Sequence, residues 1–134
     1  MPANTTPIFP LTPRVAGMSV VGAAAVTLRT AIVGTTGLTL LITAGANGTK
    51  VDAIRFVATG TSVAGVLTLW YYDGTTSRIH SEYIVSAVIP STTAIGYVLE
   101  TLFDNLQLPA THGLYLSSQV ASQLVGALAI GGDY

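Results

Sequence analysis

Between residues 25 and 130 the chain is a succession of short runs of β-branched and aromatic residues broken by Gly, Pro and Asx-Gly turns. No stretch places apolar residues at i, i+3 and i+4 between capping residues, so helices of useful length are excluded and the apolar side chains must be buried in sheets. Strands are expected over residues 25–33, 38–44, 51–59, 65–72, 77–86, 95–102, 113–120 and 124–130. The length of 134 residues makes one domain. The expected fold is all-β: a single antiparallel β-sandwich or jelly roll of about eight strands. Asn47-Gly48 and Asp73-Gly74 favour positive φ at both central positions of a type I′ turn, and each is expected to join neighbouring antiparallel strands. Residues 61–64 give a looser connection and residues 109–113 separate the seventh strand from the sixth. Pro90 ends the fifth strand, because it has no N–H to give to a ladder.

Residues 1–16 follow a different rule. Pro2, Pro7, Pro10 and Pro13 exclude a helix and a central strand, while Ile8, Phe9, Leu11 and Val15 are apolar. Disordered tails are usually charged and poor in aromatic and branched residues. Residues 1–16 therefore read as an extended arm ahead of a sandwich domain over residues 17–134, with Pro7, Ile8, Phe9, Pro10, Leu11 and Pro13 as its candidate partner contacts. A second candidate surface lies at residues 65–72, where Leu67, Leu69 and Tyr71 alternate with Val66, Thr68, Trp70 and Tyr72. Both faces of that strand are apolar. A two-layer sandwich buries only one, so Trp70 and Tyr72 either meet a partner or cap the edge of the core.

Charge narrows the function. Five basic and six acidic residues give a formal net charge of −1, and charged residues make up 8% of the chain, against about a quarter in an average soluble domain. With no long-range field, neither nucleic acid nor an anionic membrane is an expected partner. A surface so poor in ionic groups, at a mean hydropathy of +0.63, is expected to be covered in part by other polypeptide, further copies of this chain included. The uncharged stretch 30–49 is long enough to span a bilayer, but Gly34, Gly37, Gly45, Gly48 and its threonines read as turns and strands. Arg14 followed by residues 15–26 imitates a secretory signal; the four prolines and Gly17, Ser19 and Gly22 argue against cleavage.

Catalytic patterns are sought and not found. The absence of cysteine removes disulfides, thiolate nucleophiles and Cys-ligated metals and leaves the compartment open. His80-Ser81-Glu82 would put an imidazole and a carboxylate on one strand face, yet the zinc-deaminase H-x-E pattern needs a P-C-x-x-C partner. A site completed by His112 or Asp73 is weighed against a solvated strand face, and the latter is preferred because metal sites need three or more convergent ligands. Nine serines are present without a nucleophile elbow. Of the six carboxylates, none is marked locally as an acid or base. Residues 45–50 differ from a phosphate loop, since Thr49 precedes Lys50 and a strand follows. No cofactor, metal or catalytic set is expected, and the chain reads as a non-enzyme.

The arm segment Asn4-Thr5-Thr6-Pro7-Ile8-Phe9-Pro10-Leu11-Thr12-Pro13, the block Thr43-Ala44-Gly45-Ala46-Asn47-Gly48-Thr49-Lys50-Val51-Asp52, the segment Tyr72-Asp73-Gly74-Thr75 and the terminal Gly131-Gly132-Asp133-Tyr134 together resemble a group of small virion proteins of tailed bacteriophages. The matches run in order along nearly the whole chain; the apolar run 124–130 departs from the more polar ending of that group. The resemblance implies a β-sandwich capsid decoration, or cement, protein, made in the host cytoplasm and bound to the capsid exterior. Its partners would be the major capsid protein and further copies of itself, a homotrimer being favoured. On this reading the arm lies across adjacent capsomers and the sandwich oligomerises about a symmetry axis. A receptor- or carbohydrate-binding module of a phage tail fibre or spike is the second reading, motivated by the cluster Trp70-Tyr71-Tyr72. A small hydrolase is the third, requiring a cleft near His80 or His112.

Overall fold

The computed structural model describes residues 12–18 and 25–134. Within them it is all-β, with nine strands and no helix: β1 (Thr12–Met18), β2 (Ile32–Val33), β3 (Thr39–Thr43), β4 (Thr49–Ala58), β5 (Gly65–Tyr72), β6 (Thr76–Val85), β7 (Val98–Leu108), β8 (Gly113–Ser118) and β9 (Val125–Asp133). They form two antiparallel sheets, β1-β9-β4-β7 (sheet A) and β2-β6-β5-β8-β3 (sheet B). The sheets pack face to face as a β-sandwich. Val51, Ile54, Phe56 and Val125 of sheet A meet Leu67, Leu69, Leu114 and Leu116 of sheet B in one buried cluster, and Phe56 stacks on Tyr83 with ring centroids 4.8 Å apart.

The pairings β1·β9, β3·β8, β4·β7 and β5·β6 nest about the turn at Asp73. A long antiparallel ribbon rolled into two layers has this pattern, and it decides what each turn does. Asp73-Gly74 joins β5 to β6, which are paired neighbours, as expected. Its geometry is not type I′: only Gly74 has positive φ, at 92°. The Asp73 carboxylate instead accepts the Thr75 and Thr76 N–H groups at 3.0 and 2.8 Å, an Asx-type turn. Asn47-Gly48 does not make a hairpin. It links β3 of sheet B to β4 of sheet A, with Gly48 at φ 98° and its N–H donating to the Gly45 carbonyl at 3.0 Å.

Residues 12–16, read from sequence as the end of the arm, lie in β1. Pro13 is compatible with pairing there because β1 is an edge strand, where a missing N–H costs no interior ladder bond. Residues 1–11, with Pro7, Ile8, Phe9, Pro10 and Leu11, lie outside the described residues. Residues 25–33 contribute only the two-residue β2, and the strand expected over residues 95–102 starts later and runs further, as β7 from Val98 to Leu108.

Candidate protein interface

Sheet A turns an apolar face outward. Its register aligns Val15, Ile130, Ala53 and Leu102 in one row across β1, β9, β4 and β7, Leu128, Arg55 and Glu100 in the next, and Gly126, Val57 and Val98 in a third. Leu102 is 75% exposed, Val15 66% and Val98 55%, and Leu128 and Ile130 are also exposed. Strand alternation forces this: Ala127 and Ala129 point into the core, so the bulky Leu128 and Ile130 between them must face out. Within the three rows the charges are one cross-strand pair, in which Arg55 donates to Glu100 from Nη2 at 2.7 Å and from Nε at 3.0 Å. A groove of about 200 Å³, lined by Arg55, Val57, Gly126, Ala127 and Leu128, opens at one end of this face.

Sheet B is covered differently. The segment before β2 runs over its outer face: the Val26 N–H donates to the Ser118 carbonyl at 2.8 Å, and Arg29 donates to Glu82 at 2.5 Å and to Gln119 at 3.4 Å. Glu82 stands opposite Thr68 on that face. Trp70 belongs to the same face and is fully buried, its indole N–H donating to Ser117 Oγ at 2.8 Å. No ring face of Trp70 is open for stacking, so of the cluster Trp70-Tyr71-Tyr72 that motivates the receptor- or carbohydrate-binding reading only the two half-buried tyrosines keep any exposure. Tyr72 is half-buried; its hydroxyl donates to the Gly74 carbonyl at 2.7 Å and its ring meets Tyr115 edge-on. A sandwich has two layers, and the segment ahead of β2 supplies a partial third.

The root of the arm is fastened to both sheets. Arg14 on β1 donates to the Thr43 carbonyl of sheet B at 2.6 Å and to Asp133 Oδ1 of sheet A at 3.2 Å. Asp133 also accepts the Thr49 hydroxyl at 2.5 Å, and Thr49 Oγ1 accepts the Gly45 N–H at 2.8 Å. The Thr49 hydroxyl holds the Asp133 carboxyl below its ordinary range against the opposing effect of burial, with Arg14 adding to the depression. Pro13 lies exposed beside this clamp.

The polar residues singled out in the sequence are dispersed. A bulge at Leu69/Trp70 inserts one extra residue, His80, into β6. Plain alternation therefore fails: His80 turns edge-on to Phe103, at 5.7 Å between ring centroids, and bonds Ser81 at 2.6 Å, while Glu82 faces Arg29. Burial pushes the His80 imidazole below its usual value. His112 lies 2.5 Å from the Tyr71 hydroxyl, whose pKa is raised by burial and then by Asp73. The Asp73 carboxyl is held far below its ordinary value by the Thr76 N–H, then Arg78 and Thr75. Among the described residues no three His, Asp or Glu side chains converge as a metal site would require, and no helix is long and apolar enough to cross a membrane.

No protein-family model and no curated protein matches the chain. Among solved structures it is similar to a chain from infectious bursal disease virus, Gx strain, at 16% identity and a TM-score of 0.30, and to one from the Gt strain of that virus at 20% and 0.27. Each match covers 98% of this chain and 36% of the other, so the chain spans about a third of their length. Scores this low establish no common fold and carry no function over.

Proposed function

We propose that the protein is a non-enzymatic structural component of a tailed-phage virion, decorating and stabilising the assembled capsid from outside as an oligomer. The observation that carries this reading is the outer face of sheet A. Val15, Val98, Leu102, Leu128 and Ile130 lie exposed on one continuous sheet face, in a chain with only eleven acidic and basic residues to keep it apart from its neighbours. Monomeric soluble proteins rarely expose such a patch unless it binds something. The resemblance of the arm and turn segments to phage virion proteins supplies the kind of partner, the major capsid protein. The nested strand pairing supports reading the sandwich as a jelly roll, an architecture used by capsid and lectin domains alike. Repetition over a lattice would add many modest contacts, each near the lower end of a specific interface, about 1,200 Å².

The test is saturable binding of the full-length protein to purified phage heads, read by cosedimentation and by the temperature at which heads rupture. Wild-type protein should bind in fixed ratio to capsomers and raise that temperature. Leu102→Glu, at a site too exposed to affect folding, should weaken binding about tenfold or more by placing an unpaired charge in the contact. Absence of saturable binding by the wild type would refute the reading. Any such experiment with a shortened arm must stop before Thr12, because removal through Ala16 also deletes an edge strand and the Arg14 clamp.

A further inference from the structure

We infer that the groove on the outer face of sheet A takes Phe9 from the arm of a second copy, so that copies are joined by exchanged arms. The groove walls are Val57, Gly126, Ala127 and Leu128, with Arg55 at the rim. Its volume of about 200 Å³ suits one aromatic side chain. Residues 1–11 carry no charged side chain and bring Ile8, Phe9 and Leu11 together with Pro7 and Pro10. The two are chemically matched: an apolar slot without a free charge, and a neutral apolar segment that would lose little by leaving water. Prolines add to the match, since they have no N–H to desolvate and a preset φ that lowers the entropy lost on docking. The Arg55 guanidinium, already held by Glu100, is placed to lie against the ring of an inserted Phe.

Reach decides whose arm it is. Thr12 is paired with Asp133, whereas the groove sits at Gly126–Leu128, towards the far end of β9. Six residues of strand at about 3.3 Å each separate Asp133 from Ala127 by roughly 20 Å. Phe9 precedes Thr12 by three residues, so full extension carries its Cα about 10 Å and its ring about 5 Å more. Phe9 falls short of its own groove. A second copy has no such limit, and a two-fold pair fills both grooves with both arms, a closed exchange of identical segments. A trimer would need the same contact made head to tail around a ring.

Because the chain has no cysteine, one thiol can be placed at will. Full-length Phe9→Cys is mixed under mild oxidation with full-length Leu128→Cys carrying a C-terminal extension that makes its chain heavier, so that the mixed disulfide runs apart from either homodimer on a non-reducing gel, and the control partner carries the same extension. The control pairs Phe9→Cys with Ile84→Cys, whose side chain is exposed on the outer face of sheet B. Exchange predicts a disulfide-linked heterodimer at least about tenfold above the control, as expected when a contact raises the effective concentration of the two thiols. It also predicts that Phe9→Glu lowers the mass of the wild-type assembly in light scattering. A heterodimer no more abundant than the control, or cross-linking of either thiol only to a shell protein when heads are added, would overturn the inference. The first result leaves head binding open, which the cosedimentation measurement reads separately, and the second would overturn the exchange while supporting the contact with heads.

Discussion

Thr49 offers the sharpest test of how the arm root is held. Its side chain is fully buried at the start of β4, where the hydroxyl both accepts the Gly45 N–H and donates to Asp133, the carboxylate that also holds Arg14. Thr49→Val keeps the shape, so almost no cavity forms, and removes these two bonds together with the long one, 3.5 Å, that Arg14 donates to the hydroxyl. What is lost is polar pairing: the Gly45 N–H has no acceptor and Asp133 keeps only Arg14. An unpaired buried group costs about 1–3 kcal/mol, less for the Gly45 N–H because it is only half-buried, and a hydrogen bond to a charged group is worth about 1.5–3. Asp133 is about a third exposed, which puts its share at the low end, and the sum near 2 kcal/mol is to be expected. The single tryptophan, fully buried at Trp70, reports unfolding in urea without interference. With a urea slope of about 2 kcal/mol per molar, the midpoint should fall by roughly 1 M at neutral pH, both proteins being compared at one concentration.

The same pair of proteins gives a pH signature. The folded-state pKa of Asp133 lies below its unfolded value of 3.8. The stability this depression contributes is therefore present above that value and is lost as pH falls through the folded pKa. Asp73 is also depressed, but it is common to both proteins and cancels in the difference. The gap between wild type and Thr49→Val should accordingly be full at neutral pH and narrow below about pH 4. A midpoint unmoved at neutral pH, or a gap of constant size down to about pH 2, would refute this account of the clamp.

Two further substitutions test the sandwich itself. A Cβ at Gly131 would overlap the Lys50 carbonyl oxygen on the paired strand β4, so Gly131→Ala should cost more than about 3 kcal/mol and reduce the soluble yield sharply; an unchanged melting temperature would contradict the close approach. Phe56→Ala empties the centre of the core and removes the Tyr83 stack, which should lower stability by about 3–5 kcal/mol in the same urea assay, whereas a loss below about 1 kcal/mol would mean the site collapses freely.

Sequence reasoning succeeds here where a pattern is settled within one strand and fails where pairing partners decide. Gly65–Tyr72 appears at its expected bounds because its aromatic and β-branched run ends at Asp73-Gly74, a turn that closes a true hairpin. Asn47-Gly48 carries the same local signal, but in a rolled ribbon only the central link joins paired neighbours, and β3 and β4 are already committed to β8 and β7. The prolines read as excluding a central strand, rightly so, yet they say nothing against an edge, which is where β1 lies. The long β7 is also an edge, and Glu100, Asp104 and Asn105 at its outward or irregular positions look like the end of a strand when read alone. The candidate interface was the least legible part. In Val125–Asp133 small and large residues alternate without any change of polarity, so hydropathy gives no inside and no outside; only the space between the sheets, which admits Ala127 and Ala129 beside Phe56 and Ile54, sends Leu128 and Ile130 to the surface. The burial of Trp70, which the sequence leaves open between a partner contact and the edge of the core, has the same origin. Whether a strand face is core, covered or open depends on what the rest of the chain lays over it, and the segment carrying Val26 and Arg29 covers part of sheet B while the outer face of sheet A stays exposed.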